Sequence, residues 1–162
     1  MYKTGVMTVS DKGSRGERED KSGALLKQIL EAHGYGVSHY TIVPDEEAQI
    51  IPVLLKWVDE LELDLIVTTG GTGLTPRDVT PEATLKVIER EVPGMAEAIR
   101  MEGLKKTPHA MLSRAVAGIR KASLIVNLPG SPKAVREAME VLLPALPHAL
   151  AKVKGEATEC GK

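Results

Sequence analysis

The chain has 162 residues, 43% apolar and 27% charged, and its 21 basic and 22 acidic side chains leave a formal net charge of −1. That balance excludes the broad positive footprint of a nucleic-acid binder, and with no Phe, one Trp and three Tyr there is little on which bases could stack. The lone Cys160 excludes an intrachain disulfide framework and no apolar run approaches a membrane span, so the expectation is one cytoplasmic domain over residues 1–155 with a polar tail at 156–162.

In chain order, residues 5–9 read as a short strand ending at Ser10 and Asp11. Residues 12–21 mix charges and glycines and read as a solvated loop, positioned where a lid could lie over the first strand end. Ser22 is a candidate N-cap for a helix carrying Leu25, Leu26, Ile29 and Leu30 on one face, with Gly34 as its stop. Residues 37–43 form a second strand, closed by Pro44 and Asp45. Ile50, Ile51, Leu54, Leu55, Val58 and Leu61 show the clearest helical periodicity in the chain. Pro52 inside that pattern predicts a kink or a separate first turn, and Trp57 reads as packing.

Residues 63–69 form a third strand, apolar enough for a parallel sheet covered on both faces. It runs into Gly70, Gly71, Thr72 and Gly73, then Arg77 and Asp78. Bare backbone lets N–H groups approach an anion closely. Thr72 adds a hydroxyl, Arg77 a fixed positive charge and Asp78 a carboxylate. The loop is neither a Walker loop, since no Gly-Lys-Ser/Thr follows, nor a dinucleotide fingerprint, whose third glycine is missing.

Thr80, Pro81 and Glu82 have the form of a helix start: a capping hydroxyl, a proline at the first helical position and an acid in the first turn. Pro93 and Gly94 separate that helix from one containing Met95, Ala98, Ile99 and Met101. Ser113 and Arg114 form a polar corner before a short strand over residues 116–119, open to an antiparallel placement. Residues 124–128 are the last strand. Ser131 as N-cap and Pro132 at the first position then open a helix using Val135, Ala138, Met139 and Leu142.

This alternation implies an α/β fold: three α/β/α layers around a mostly parallel sheet. In such a sheet ligands bind at the carboxyl ends of strands, at a switch in strand order. Ser10 with Asp11, Asp45, the Gly70–Asp78 loop, and the run Asn127, Pro129, Gly130, Ser131 all lie at strand ends, and the last leads into a helix N-terminus suited to anions, with Lys133 beside it. Two anion sites and two carboxylates, Asp45 and Asp78, suit a substrate with several phosphates and Mg²⁺, which prefers carboxylate together with phosphate oxygen. His33, His39, His109 and His148 lack metal-ligand spacing, and there is no Gly-x-Ser-x-Gly elbow.

These loops, with Val9-Ser10-Asp11, Asp20-Lys21-Ser22-Gly23, Pro44-Asp45-Glu46 and Leu112-Ser113-Arg114, resemble the molybdenum cofactor biosynthesis family, nearest to its Mog-type and MoaB-type adenylyltransferases. The resemblance runs from the first strand past Lys133. It implies a molybdopterin-binding fold, a homotrimer, and Mg²⁺-dependent transfer of AMP from ATP to the terminal phosphate of molybdopterin. It makes Asp45 and Asp78 the catalytic, metal-holding aspartates. It makes Ser10, Asp11, Gly70, Gly71, Thr72, Gly73, Ser113, Arg114, Asn127, Pro129, Gly130 and Ser131 substrate contacts. A molybdenum-insertion protein is the implied partner, with no nucleic acid and no membrane. Pro52 and Gly103 depart from the pattern. The rival reading is a MoaB-type protein that holds pterin without turnover.

Overall fold

The computed structural model describes residues 1–157, so Cys160 and the end of the polar tail lie outside the described residues. Six strands form one sheet: β1 (Lys3–Val9), β2 (Gly36–Val43), β3 (Leu65–Thr69), β4 (Arg90–Glu91), β5 (Ala117–Arg120) and β6 (Ser123–Leu128). Their order is β2-β1-β3-β6-β5-β4. The four strands from β2 to β6 are parallel, and β5 runs antiparallel to β6 and β4. The parallel strands carry near-continuous apolar runs because both faces are covered.

One face packs against α2 (Lys21–Ala32), α5 (Pro93–Leu104), α6 (Pro132–Leu142) and α7 (Leu146–Val153), through Leu26, Leu30, Ile99, Met139, Leu142 and Leu150. The other packs against α3 (Glu47–Leu55) and α4 (Thr80–Val87), through Ile50, Leu54, Ala83 and Val87. The three-layer α/β expectation therefore holds. Trp57 is a packing residue: a Cβ on Gly5 would lie 2.7 Å from its ring.

Local differences from the sequence reading have local causes. Residues 11–14 form a short helix, α1 (Asp11–Ser14), because the Ser10 hydroxyl caps it by accepting from Gly13 N–H at 3.0 Å. Asp20, not Ser22, caps α2, accepting from Gly23 N–H at 2.9 Å. Gly34, at φ +86°, follows the end of that helix as expected. Helix α3 continues through Pro52, so its first turn is not separate, and the irregular stretch is a π turn over Lys56–Glu60. The Thr80 hydroxyl donates to Gly70 C=O at 3.0 Å instead of capping α4. Ser131 does cap α6, accepting from Ala134 N–H at 3.1 Å, with Pro132 first in the helix. The short antiparallel strand is present as β5, whereas β4, the 3₁₀ turn Pro108–Leu112 and α7 add to the sequence reading. Among the described residues no helix is long and apolar enough to cross a membrane.

Candidate active site

The chain leaves β1 toward β2 on one side and returns to β3 on the other, so the switch in strand order lies between β1 and β3. A cleft of about 1150 Å³ opens at their carboxyl ends. Every parallel strand contributes to it: Ser10 and Asp11 after β1, Asp45 after β2, Gly70, Gly71 and Asp78 after β3, and Gly130 and Ser131 after β6.

The glycine loop is shaped by steric necessity. Gly70 and Gly71 sit at φ +96° and +69°, where a side chain is strained. A Cβ on Gly70 would come within 2.4 Å of Val9 C=O, and one on Gly71 within 2.2 Å of Thr80 Oγ1 and 3.1 Å of Asp45 Oδ1. A Cβ on Gly73 would lie 2.9 Å from Asp78 Oδ2. The glycines thus let the loop pass between a strand end and both carboxylates.

Arg114 fixes the other side of the loop. Its guanidinium donates to Gly73 C=O and Asp78 C=O, each at 2.7 Å, and to Glu82 at 2.6 Å, while its N–H donates to Thr72 C=O at 2.8 Å. Arg114 therefore clamps the loop, with its guanidinium engaged by Gly73, Asp78 and Glu82. Asp78 is steadied by Thr75, whose N–H and hydroxyl donate to Oδ2 at 3.0 and 2.8 Å.

Asp11 and Asp45 are bonded reciprocally across the cleft floor. Asp11 N–H donates to Asp45 Oδ2 at 2.9 Å, and Asp45 N–H donates to Asp11 Oδ1 at 3.0 Å. Arg77 grips Asp11 with two bonds, at 3.0 and 2.8 Å, and lies 3.5 Å from Glu46. Arg77, read from sequence as a fixed positive charge, is thus engaged with carboxylates. Its guanidinium holds the Asp11 carboxyl below the usual range, helped by the Asp45 N–H. Burial pushes the Asp45 carboxyl up, and the negative charges of Asp11 and Asp78 add to that shift against the bond from Asp11 N–H and the charge of Arg77.

Several expected contacts lie elsewhere. Asn127 is fully buried: its Oδ1 accepts from Val116 N–H at 3.2 Å and its Nδ2 donates to Thr68 and Thr84 hydroxyls at 3.0 Å. It ties β6 to β3 and α4 and does not face the cleft. Thr72 is also buried. Ser113 and Pro129 line a neighbouring groove of about 560 Å³ between α5, the 3₁₀ turn and α6. In that groove Gly103 leaves room for Ala110, whose Cβ a side chain there would meet at 2.8 Å. The Ser10 hydroxyl is engaged as a cap.

Other cleft residues come from the stretch read as a solvated loop: Lys12, Arg18, Lys21, Asp20 and Ser22. Asp20 accepts from the hydroxyls of Thr8, at 2.6 Å, and of Tyr40, and Ser22 donates to Gly130 C=O, so the start of α2 is anchored to β1, β2 and the β6 loop. Mixed charge hid this stretch, although Asp20 at a cap position three residues before Gly23 was a readable signal.

Asp45 and Asp78 can serve a divalent cation. The described residues hold no cluster of three or more His, Cys, Asp or Glu of the kind that binds a metal unaided. Mg²⁺ needs less, because one or two carboxylates suffice when phosphates supply the remaining oxygens. The crowding of negative charge around Asp45 favours a cation there.

A doubly wound α/β domain with a glycine loop, two carboxylates and two helix N-termini at one switch point defines a class that holds phosphorylated ligands at its carboxyl sheet edge. Residues 5–148 match the molybdenum cofactor biosynthesis family model, described as "Probable molybdopterin binding domain", and the chain belongs to that family. It is 47% identical over 153 residues to a molybdopterin adenylyltransferase of Helicobacter pylori, covering 93% of this chain and 87% of that protein. It is 45% identical over 138 residues to that of Escherichia coli, covering 84% and 71% of the two chains. The crystal structure of the molybdopterin biosynthesis enzyme MoaB from Thermus thermophilus superposes with a TM-score of 0.91 at 54% identity, covering 96% of this chain and 98% of that one.

Proposed function

We propose that this chain is a molybdopterin adenylyltransferase, which joins AMP from ATP to the terminal phosphate of molybdopterin and releases pyrophosphate. The observation that carries the reading is the placement of Asp45 and Asp78 against the two sides of the glycine loop, within about 3 Å of where side chains on Gly71 and Gly73 would begin. Two carboxylates beside bare backbone suit a metal-bridged polyphosphate. The names of the relatives at 45–47% identity support the same activity.

A phosphate monoester is mostly ionised near neutral pH, its second pKa being about 6, so the attacking oxygen needs no general base. Mg²⁺, held by Asp45 and Asp78, would neutralise phosphate charge. The chain's own part is positioning: Arg114 sets the loop, Thr75 aims Asp78, and Asp11 holds Asp45 from both backbone and side chain. Loop amides and the start of α6 supply donors to phosphate oxygens.

The test is incubation with molybdopterin, Mg²⁺ and labelled ATP. Adenylylated pterin and pyrophosphate in equal amounts are expected. Tight pterin binding with no pyrophosphate would leave only a binding protein. The homotrimer and a molybdenum-insertion partner belong to the same proposal. Exposed Met101, Leu104, Met111 and Leu112 on α5 and the 3₁₀ turn support the first, checked by sedimentation. A bifunctional molybdenum cofactor biosynthesis relative from Chlorobaculum tepidum, 39% identical and about twice as long as the match, supports the second.

A further inference from the structure

We infer that Lys12, Arg18 and Lys21 form a cationic rim that holds the β- and γ-phosphates of the nucleotide, the part that leaves as pyrophosphate; the inference rests on the adenylyl-transfer reading for its substrate. All three line the main cleft, together with the carboxylates of Asp11, Asp45 and Asp78. Other arginines around the site are paired: Arg15 with Glu17 at 3.0 Å, Arg77 with Asp11 at 2.8 Å and Arg114 with Glu82 at 2.6 Å. Among the described residues the side chains of Lys12, Arg18 and Lys21 make no hydrogen bond or close ion pair, though Lys12 feels the charge of Glu17, and Asp20, Glu19 and Asp11 line the same cleft.

Three cations lining one concave site fit an extended polyanion better than a single phosphate. The geometry around them is held from below. Lys21 is the first residue of α2, whose start is anchored through Asp20 to Thr8 and through Ser22 to Gly130. Lys12 lies in α1, fixed by the Ser10 cap. The rim therefore stands on anchored backbone in the same cleft that the glycine loop and the carboxylates line.

In the transfer a pterin phosphate oxygen forms a bond to the α-phosphorus, and the bond between that phosphorus and the oxygen bridging to the β-phosphate breaks. The electron pair leaves on pyrophosphate. Charge grows there, so cations placed on this side lower the barrier as well as the nucleotide dissociation constant.

Calorimetric titration of the full chain with pyrophosphate and with AMP, Mg²⁺ present in both, tests the rim. In the variant with Lys12→Ala, Arg18→Ala and Lys21→Ala, pyrophosphate affinity is expected to fall at least about tenfold and AMP affinity by less than about twofold. The exchange Lys12→Arg, Arg18→Lys, Lys21→Arg should restore most of it. Unchanged pyrophosphate affinity in the alanine variant, or equal weakening toward AMP, overturns the inference. Arg18→Gln alone, at an exposed position, gives the same reading with less demand on folding. A wild-type chain that binds pyrophosphate through these residues yet makes no adenylylated pterin supports the rim and sinks the transferase reading. A transferase whose alanine variant binds pyrophosphate normally does the reverse.

Discussion

The two edges of the sheet use their charges differently. At the amino edge, charges are paired off. Asp64 accepts from Lys3 N–H at 2.8 Å and from Lys154 Nζ at 2.6 Å, joining the starts of β1 and β3 to the end of α7. Asp59 holds Arg120 in a fork with both bonds at 3.0 Å, with Lys121 also at 3.0 Å, and these two cations bring its carboxyl down to about 2. At the carboxyl edge, Asp45 is pushed up by burial and crowded by Asp11 and Asp78, and among the described residues Lys12, Arg18 and Lys21 line the cleft without a hydrogen bond or close ion pair. Paired charge fastens the fold. Crowded like charge and cations left to solvent mark a place that a charged ligand can occupy.

The largest expected effect breaks the comparison at its functional end. Asp78→Asn should keep the fold and lower adenylyl transfer on the order of 10²–10³-fold, the usual scale for losing one preorganised electrostatic group. Normal kcat at saturating Mg²⁺ would remove Asp78 from the mechanism. Next comes Gly70→Ala, which places a Cβ 2.4 Å from Val9 C=O at φ +96°. A backbone contact cannot give way as a side chain can, so a loss of about 2–4 kcal/mol is expected in denaturant unfolding.

How much of this the sequence made legible follows from what each signal measures. The parallel strands and main helices were readable because burial on a sheet face imposes an apolar period. Helix α1, four residues with none buried, and β4, two exposed residues, bury too little to leave a pattern. Helix α7 does leave one, with Leu146 and Leu150 a turn apart and Pro147 in its first turn. At the site, sequence placed Asp45, Asp78 and the glycines at strand ends because topology alone does that. It could not say which way a long side chain turns. Arg77 and Arg114 look alike as cations near a glycine loop, yet one grips Asp11 and the other two loop carbonyls. Asn127 looked like a ligand contact because it ends a strand, but it lies wholly inside the sheet.

Asp64→Ala sharpens the contrast from the other edge. It leaves Lys154 without its carboxylate and Lys3 N–H without its acceptor. Losing a nearly buried acceptor that serves two donors should cost about 1–3 kcal/mol. Transfer activity measured well below the melting temperature should stay within twofold of wild type. A large fall in kcat there would mean that the two edges are coupled and that the separation of roles is wrong.

The smallest effect lies where the two behaviours meet, at the Arg114–Glu82 pair beside the glycine loop. Arg114 holds the Glu82 carboxyl below its usual value. A carboxyl lowered in the folded state binds fewer protons there than in the unfolded chain. Its stabilisation is therefore complete above the unfolded value and is lost as pH falls through the folded one. Both side chains are more than a third exposed, at 36% and 42%, so solvent screens the pair and the contribution is under about 1 kcal/mol. Glu82→Gln should accordingly lower stability slightly at neutral pH and converge with wild type below the carboxylate range, in urea unfolding followed across pH. Because Arg114 keeps its two carbonyls on the loop, the variant should retain most transfer activity. A pH-independent stability difference would assign Glu82 to packing, and a collapse of activity would show that Arg114 needs its carboxylate to hold Asp78 in place.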